Sequence, residues 1–502
     1  MKSLARVLLT IGLSLSPLPA AAQTPLGKDR KEDLIARLER LVPPLMAEAD
    51  VPGLALALVR GGELVWHRGF GVRNSATKEP VGDGTLFEAA SLSKPVFAYA
   101  VLKLADSGRL DLDAPLNKYL PGNYDVGEDA RLAQVTARRV LSHTAGFPNW
   151  RPRGERALKI HFTPGERFSY SGEGFVYLAA AVERLTGEPL ADFTRRTVFG
   201  PLGMKDSSFV WGDGFEGRKV FNHNAVGKPT GQNRPAKANA AASLHTTARD
   251  FGLFLAAVLK GKGLKRETAR LFWTPQVRVG ESTNATAAPP KRLSAEVAWG
   301  LGWGLQTTAE GVSIWHWGDN GNSKAYVVAY PKERRGVVYF ANSANGLSIA
   351  REVVAEAAGG AQPALAWLNY EPYNSPARAL LKQIVARGAA AALGEYRERR
   401  KGRAASELVG EAQMNRVGYN LLSLGRGSDA VEVFKLNVED HPQSSNAYDS
   451  LGEAYMVAGD REQAIRNYRK SVELNPGNAH GVEMLRKLEE GKTQDAKGDG
   501  RE

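Results

Sequence analysis

The chain has 502 residues, of which 43% are apolar and 24% charged, with 66 Lys and Arg against 54 Asp and Glu. These are globular values that exclude a disordered or fibrous chain, and at roughly 150 residues per domain the length suits about two to four domains, or one large domain with a smaller one. Cysteine is absent, which excludes disulfides, thiolate metal sites and a cysteine nucleophile.

The formal charge of +12 does not imply nucleic acid. The basic residues are spread along the chain, and no Lys/Arg stripe alternates with aromatics. Residues 1–22 read as an export signal. Lys2 and Arg6 precede the apolar run Val7–Leu18, and Ala20-Ala21-Ala22 offers a small-residue cleavage site, with the cut expected after Ala22. The run falls short of the ~20 apolar residues that a membrane span needs. A periplasmic or secreted protein with no membrane span is therefore expected.

Leu34, Leu38, Leu41 and Leu45 carry helical spacing. Gly53–Val59 and Glu63–Gly71 predict two strands around the turn Gly61-Gly62. A helix is expected from about Ser91, with Phe97, Val101 and Leu104 on one face and Gly108 as its stop. Thr247 opens another, with Asp250 as a capping-box partner. The stretch 280–292 is a loop by composition. Val312–Trp317, Lys324–Tyr330 and Val337–Ala341 predict a run of strands. Strands at both ends and helices between predict an α+β domain over 30–355, its sheet closed by the two chain ends around a helical insert.

The C-terminal part repeats at an offset of 34: Gly418 matches Gly452, Gly425 Gly459, Ala430 Ala464, Phe434 Tyr468 and Pro442 Pro476. That period is the tetratricopeptide signature. It predicts an all-α region over 376–487, with clear repeats at 411–444 and 445–478. Because ~3 repeats are needed for a stable stack, 376–400 is a candidate degenerate third or cap. Residues 488–502, of mixed charge and Gly, are expected to be disordered.

No G-x-S-x-G, H-E-x-x-H or P-loop occurs, and the eight histidines lack metal-ligand spacing, so no cofactor or metal is expected. S-x-x-K occurs twice. Ser75–Lys78 lies in a polar turn. Ser91-Leu92-Ser93-Lys94 heads an apolar helix, where a spacing of three puts both side chains on one face. The helix N-terminus favours an alkoxide there, and a desolvated lysine can act as its base.

Around that motif stands LFEAASLSKPVFAYAVLKL, followed in order by VTARRVLSHTAGFPNW at 135–150, FTPGERFSYSGEGFVYLAAAVERLTG at 162–187, AASLHTTARDFGLFLAAVL at 241–259 and WHWGDNGNSKAYVVAYP at 315–331. This series resembles the serine hydrolases of the class C β-lactamase and penicillin-binding-protein type. The resemblance implies that Ser91 is acylated, that Lys94 takes its proton, and that Tyr170 serves as base and then as acid to the leaving group. His316 and Gly318 match the third motif, and the oxyanion donors would be the N–H groups of Ser91 and Asp319.

Two positions depart from the pattern. Gly172 stands where Tyr-x-Asn carries its amide, and His316 stands where a lysine would be a permanent cation. His316 is expected to line the site and to lose its charge as pH rises through ~6.5. Ser93 and His143 are expected to be structural, and Lys324 to line the rim or face solvent. Together these readings describe an exported hydrolase cleaving an ester or amide of a small molecule or peptide, with a protein partner for the repeats. The alternatives are a D-alanyl-D-alanine carboxypeptidase or β-lactamase, and a catalytically weak binding protein acting through its repeats.

Overall fold

The computed structural model describes residues 30–120, 124–152, 155–279, 296–402 and 408–498. The expected signal segment 1–22 and the loop 280–292 lie outside the described residues. The strands are β1 (Gly53–Arg60), β2 (Glu63–Gly71), β3 (Phe87–Ala90), β4 (Asn222–His223), β5 (Pro229–Gly231), β6 (Leu244–Thr246), β7 (Val277–Arg278), β8 (Val297–Trp299), β9 (Gly304–Thr308), β10 (Gly311–Asp319), β11 (Lys324–Tyr330) and β12 (Arg335–Ala341). Eight form one sheet in the order β2-β1-β12-β11-β10-β9-β8-β7, and β3/β6 and β4/β5 form two small ladders. Every strand pair is antiparallel.

The sheet is covered on both faces, which explains its continuous apolar strands. Side chains alternate along a strand. Ala55, Ala57 and Val59 of β1 point into a core shared with helices Ser93–Asp106 and Ala248–Lys260. Leu54, Leu56 and Leu58 point the other way, towards helices Lys31–Glu48 and Ala350–Ala358. β1 pairs with β12 in the register Leu54↔Ala341, so the two ends of the domain meet in mid-sheet. Gly61 and Gly62 turn the β1–β2 hairpin with φ of 60° and 79°, values that suit glycine in such turns.

Helix Ser93–Asp106 is buried on every side, from Ser93 through Leu102. It runs between the sheet and the helical lobe, so the single apolar face expected from sequence understates its burial. The Thr247 cap accepts the Asp250 N–H at 3.1 Å. The return bond of a capping box is replaced: Asp250 accepts from the Asp206 N–H and the Ser207 hydroxyl.

The apolar layer that holds the first helix continues past residue 355 and takes in Ala364, Leu365 and Trp367. Helix pairs follow at Pro376–Arg387/Ala389–Arg400, Glu411–Ser423/Gly427–Asp440 and Ser445–Val457/Arg461–Leu474. The 34-residue offset has a packing meaning. A Cβ on Gly418 would meet the Phe434 ring at 2.3 Å, and one on Gly452 would meet Tyr468 at 3.1 Å. One correction concerns the tail. Residues 488–498, expected to be disordered, continue the helix Ala479–Gly498. Pairs one turn apart, Lys487–Glu483 and Arg486–Glu490, support that helix against its polar composition. Among the described residues no helix is long and apolar enough to cross a membrane.

Candidate active site

The nucleophile stands on a tight turn. β3 ends at Ala90, whose φ of 49° is left-handed, a conformation that costs ~1–3 kcal/mol in a non-glycine residue. Ser93 secures it: its hydroxyl donates to the Ala90 carbonyl at 2.6 Å and accepts the Leu244 N–H of β6 at 2.9 Å. Gly318 of β10 presses against the same turn. A Cβ there would lie 2.4 Å from the Ala89 carbonyl oxygen, so glycine is what lets the strand approach. The Ser91 N–H donates to no acceptor among the described residues.

Lys94 is wholly buried. Its Nζ lies 3.1 Å from Ser91 Oγ, 2.9 Å from the Ala241 carbonyl oxygen and 4.7 Å from the centre of the Tyr170 ring. Burial pushes its pKa well below the usual lysine range. As an ammonium it donates to Ser91. Once deprotonated, the same contact lets Nζ accept the serine proton. The other S-x-x-K is a turn: the Ser75 hydroxyl donates to the Gly227 carbonyl and its N–H to His223 Nε2.

Tyr170 is buried just ahead of helix Gly172–Thr186. His143 holds it from both sides. The His143 carbonyl accepts the Ser169 N–H at 2.8 Å, and its Nδ1 accepts the Ser171 N–H at 2.9 Å. The two rings lie 4.3 Å apart. Burial pushes the Tyr170 phenol far up, which the neighbouring Ser91 hydroxyl partly offsets, although its Oη closes no hydrogen bond of ordinary geometry. Burial therefore favours the neutral amine at Lys94 and the protonated phenol at Tyr170. The residue with base character at rest is the lysine.

At Gly172 a Cβ would meet the Asn149 carbonyl oxygen and the Trp150 ring, both at 2.8 Å. Trp150 is the bulky group beside this position, and it remains 46% exposed. Asn149 also accepts the Gly172 N–H through Oδ1 at 3.1 Å.

His316 contradicts its expected titration. It is fully buried, among Tyr170, Trp299 and Trp317, with ring centres 5.4–6.1 Å away. Burial first, and Lys94 second, lower its pKa to about 3 against the opposing pull of the Trp317 carbonyl. The ring is neutral at any ordinary working pH. A carbonyl can only accept, so Nδ1 carries the proton and donates to Trp317 O at 2.8 Å. Nε2 is left as a bare acceptor without a partner among the described residues.

Lys324 neither lines the rim nor faces solvent. It is buried and pairs with the Asp319 carboxylate, which also accepts the Gly321 N–H at 2.8 Å and the Tyr370 hydroxyl at 2.6 Å.

Two residues at the site carried no local signal. Tyr370 comes from beyond the last motif. Glu88, three residues before Ser91, is buried and accepts the side-chain amides of Asn222, Asn233 and Asn320. Burial pushes its carboxyl up, but Lys219 and those amides together hold it below the ordinary value. The Ser323 hydroxyl adds a bond to the Glu88 carbonyl at 3.1 Å. Glu88 thus pins the β10–β11 turn to the nucleophile strand.

Residues 38–359 match the family model described as Beta-lactamase. The chain belongs to the β-lactamase family of serine hydrolases. A tetratricopeptide-repeat model matches residues 445–478. Esterase EstB of Burkholderia gladioli is 31% identical over 204 residues, which cover 35% of this chain and 52% of the esterase. Penicillin-binding protein 4* of Bacillus subtilis (strain 168) is 26% identical over 340 residues, 62% of this chain and 72% of that protein. The chain thus spans about half the length of the esterase. Among solved structures, a class C β-lactamase superposes with a TM-score of 0.56 at 19% identity, over 67% of this chain and 98% of that one. An octameric penicillin-binding-protein homologue from Pyrococcus abyssi superposes with a TM-score of 0.54 at 22% identity, over 70% and 82%. At such identities the likeness establishes the fold alone.

Proposed function

We propose that the protein is an exported hydrolase that cleaves uncharged esters through an acyl-enzyme on Ser91. The observation that carries this reading is a buried lysine 3.1 Å from a serine hydroxyl, with a backbone carbonyl as its one other hydrogen-bond partner among the described residues. Neutral Lys94 removes the Ser91 proton as Oγ attacks the ester carbonyl. The N–H groups of Ser91 and Asp319 are the oxyanion donors by motif position. Tyr170 gives its proton to the leaving alkoxide and regains one from the Lys94 ammonium, so the charges balance. A water then repeats the sequence on the acyl-enzyme and frees Ser91.

The preference for uncharged esters rests on two missing handles. Gly172 offers no side-chain amide, and neutral His316 offers no cation for a substrate carboxylate. The likeness to a penicillin-binding protein supports a second reading, D-alanyl-D-alanine peptide or β-lactam cleavage, which lacks those two groups. Export rests on the segment 1–22, and the repeats are read as a surface for a protein partner.

A fluorophosphonate probe, with the labelled residue located by mass spectrometry, tests the nucleophile. Turnover of p-nitrophenyl butyrate, a D-alanyl-D-alanine peptide and nitrocefin, measured side by side, tests the substrate class. Faster turnover of nitrocefin or the peptide than of the ester refutes the ester reading.

A further inference from the structure

Residues 370 and 371 sit between the hydrolase body and the repeats, outside the segment 38–359 that matches the family model. They point to opposite sides. The Tyr370 hydroxyl donates to Asp319 Oδ2 at 2.6 Å, and the Lys324 ammonium, which pairs with the other Asp319 oxygen, lies 5.5 Å from the Tyr370 ring centre. Glu371 points the other way, to the first clear repeat. It accepts from Gln413 Nε2 at 2.8 Å and from Arg416 Nε at 3.1 Å. Its side chain is only 11% exposed, which strengthens the pair over a fully wet one.

The surroundings make this a fixed link. Trp367, three residues before Tyr370, packs on Trp315 and Trp317 with ring centres 5.8 and 6.1 Å apart. Lys382, in the first helix of the repeat region, pairs with Asp50 at 2.9 Å. Ala225 of the hydrolase body packs into the repeat core. Among the described residues the other holds on the Asp319 carboxylate are Lys324 and the Gly321 N–H, both of which belong to the same hairpin as Asp319 itself. Glu88 holds the β10–β11 turn from one side through Asn320 and Ser323; Tyr370 is the one hold, among the described residues, on the Asp319 carboxylate itself from outside the hairpin.

We propose that Tyr370 is a positioning residue for the hydrolase site, holding the Asp319 end of β10 in register with Ser91, and that Glu371 couples this hold to the repeats. The inference rests on the reading of Asp319 N–H as an oxyanion donor. An N–H displaced by a fraction of an ångström stabilises the tetrahedral intermediate less while leaving ground-state ester binding alone. A partner seated on the repeats that shifts helix Glu411–Ser423 would then be felt at the oxyanion through two adjacent residues.

The test uses the full chain with Tyr370→Phe, Glu371→Gln and the double variant. Each is measured for kcat and KM with p-nitrophenyl butyrate, for the rate of fluorophosphonate labelling and for Tm. Tyr370→Phe keeps the ring and removes one hydroxyl, and should lower kcat and the labelling rate about tenfold with KM within about twofold. Glu371→Gln should lower the same two quantities about threefold, and the double variant should match Tyr370→Phe because both act through one link. Unchanged kcat in Tyr370→Phe, or losses that multiply in the double variant, would overturn the proposal. If Tyr370→Phe melts early, Glu371→Gln decides alone: a loss in kcat at constant KM supports the link, and no loss overturns it. A wild-type chain that does not label at all refutes the hydrolase reading, a result distinct from all of these.

Discussion

Lys94 Nζ lies 3.1 Å from Ser91 Oγ and 2.9 Å from the Ala241 carbonyl, wholly out of water. A lysine so placed loses its proton more readily, because burial penalises the ammonium and the neutral amine pays little. Activity should therefore rise with pH through a Lys94 pKa below the ordinary ~10.4 and then level off. In Lys94→Arg, whose guanidinium stays charged, kcat/KM should fall by at least ~100-fold with no recovery on raising the pH. A pH profile of kcat/KM for an ester reads both. A Lys94→Arg variant with wild-type activity would remove the lysine from the reaction.

The same burial has a stability consequence. The folded pKa of Lys94 lies below its unfolded value, so the unfolded chain binds the extra proton between the two, and folding loses free energy as pH drops through that window. Replacing Lys94 with Met removes this penalty. Lys94→Met should be inactive, yet its Tm relative to wild type should improve as pH falls from 9 to 6. Calorimetry across that range is the check. A Tm difference that does not change with pH would contradict the assigned direction.

The second serine motif gives a clean control. Ser75 is tied into a turn by Gly227 and His223, and Lys78 of the same motif is exposed. Ser91→Ala should abolish probe labelling, and Ser75→Ala should leave it intact. Label found on Ser75 would reverse the assignment.

What could be read from the residues is what depends on short spacing. Ser91 and Lys94 share one helical turn, β1 carries its apolar run, and Gly418 and Gly452 meet the large rings of their own repeats. What could not be read depends on packing between distant segments. Tyr370 reaches Asp319 across 51 residues, and Glu88 gathers amides from Asn222, Asn233 and Asn320, with no pattern linking them. The charge state of His316 failed for the same reason: the residue type was legible, but its closure by Trp299, Trp317 and Tyr170 was not. The burial of Lys324, expected at the rim or in solvent, was not legible because its partner, Asp319, lies across a hairpin turn. Truncation shows the cost of such gaps. A cut near residue 365 removes Trp367 and Tyr370 from the site, so it should abolish ester turnover, whereas a cut after Ser375 should keep it within several-fold.

Restoring the family amide is not a single substitution. A side chain at position 172 meets the Asn149 carbonyl oxygen and the Trp150 ring at 2.8 Å, and the backbone oxygen cannot swing aside. Gly172→Asn should cost ~1–3 kcal/mol of stability by overpacking and should not gain β-lactam turnover. Adding Trp150→Ala should recover part of the Tm, because the ring contact goes while the Asn149 oxygen stays. Thermal melts with nitrocefin assays check this, and a Gly172→Asn chain that melts like wild type would show that the position has room.

In the family pattern a lysine stands at the position of His316, and were His316 to titrate near ~6.5, a lysine there would grip a substrate carboxylate to most advantage at pH 8, where histidine is uncharged. The packing removes that contrast. His316 has a pKa of about 3, so it is neutral at pH 5.5 and at pH 8 alike. A lysine there would bring a second amine into the closed space that already holds Lys94 Nζ, the group whose charge lowers the His316 pKa. Two ammonium groups cannot share so dry a place, so one is forced neutral or the local packing opens. The bare Nε2, which lies among Tyr170, Trp299 and Trp317, is lost as an acceptor at the same time. His316→Lys should therefore lower kcat/KM for a penicillin and for a neutral ester alike, at both pH values, whereas His316→Gln, which keeps a neutral side chain with an acceptor oxygen, should retain more of the ester activity. The fold carries a matching signature. A histidine held near 3 against ~6.5 unfolded leaves the unfolded chain with more protons between those values, so its contribution is complete above ~6.5 and is lost as pH falls towards 3. In His316→Gln the acid limb of Tm against pH should be shallower than in wild type. A penicillin rate that rises selectively in His316→Lys at pH 8 would show that the ring reaches substrate after all, and that the closed packing around it opens during turnover.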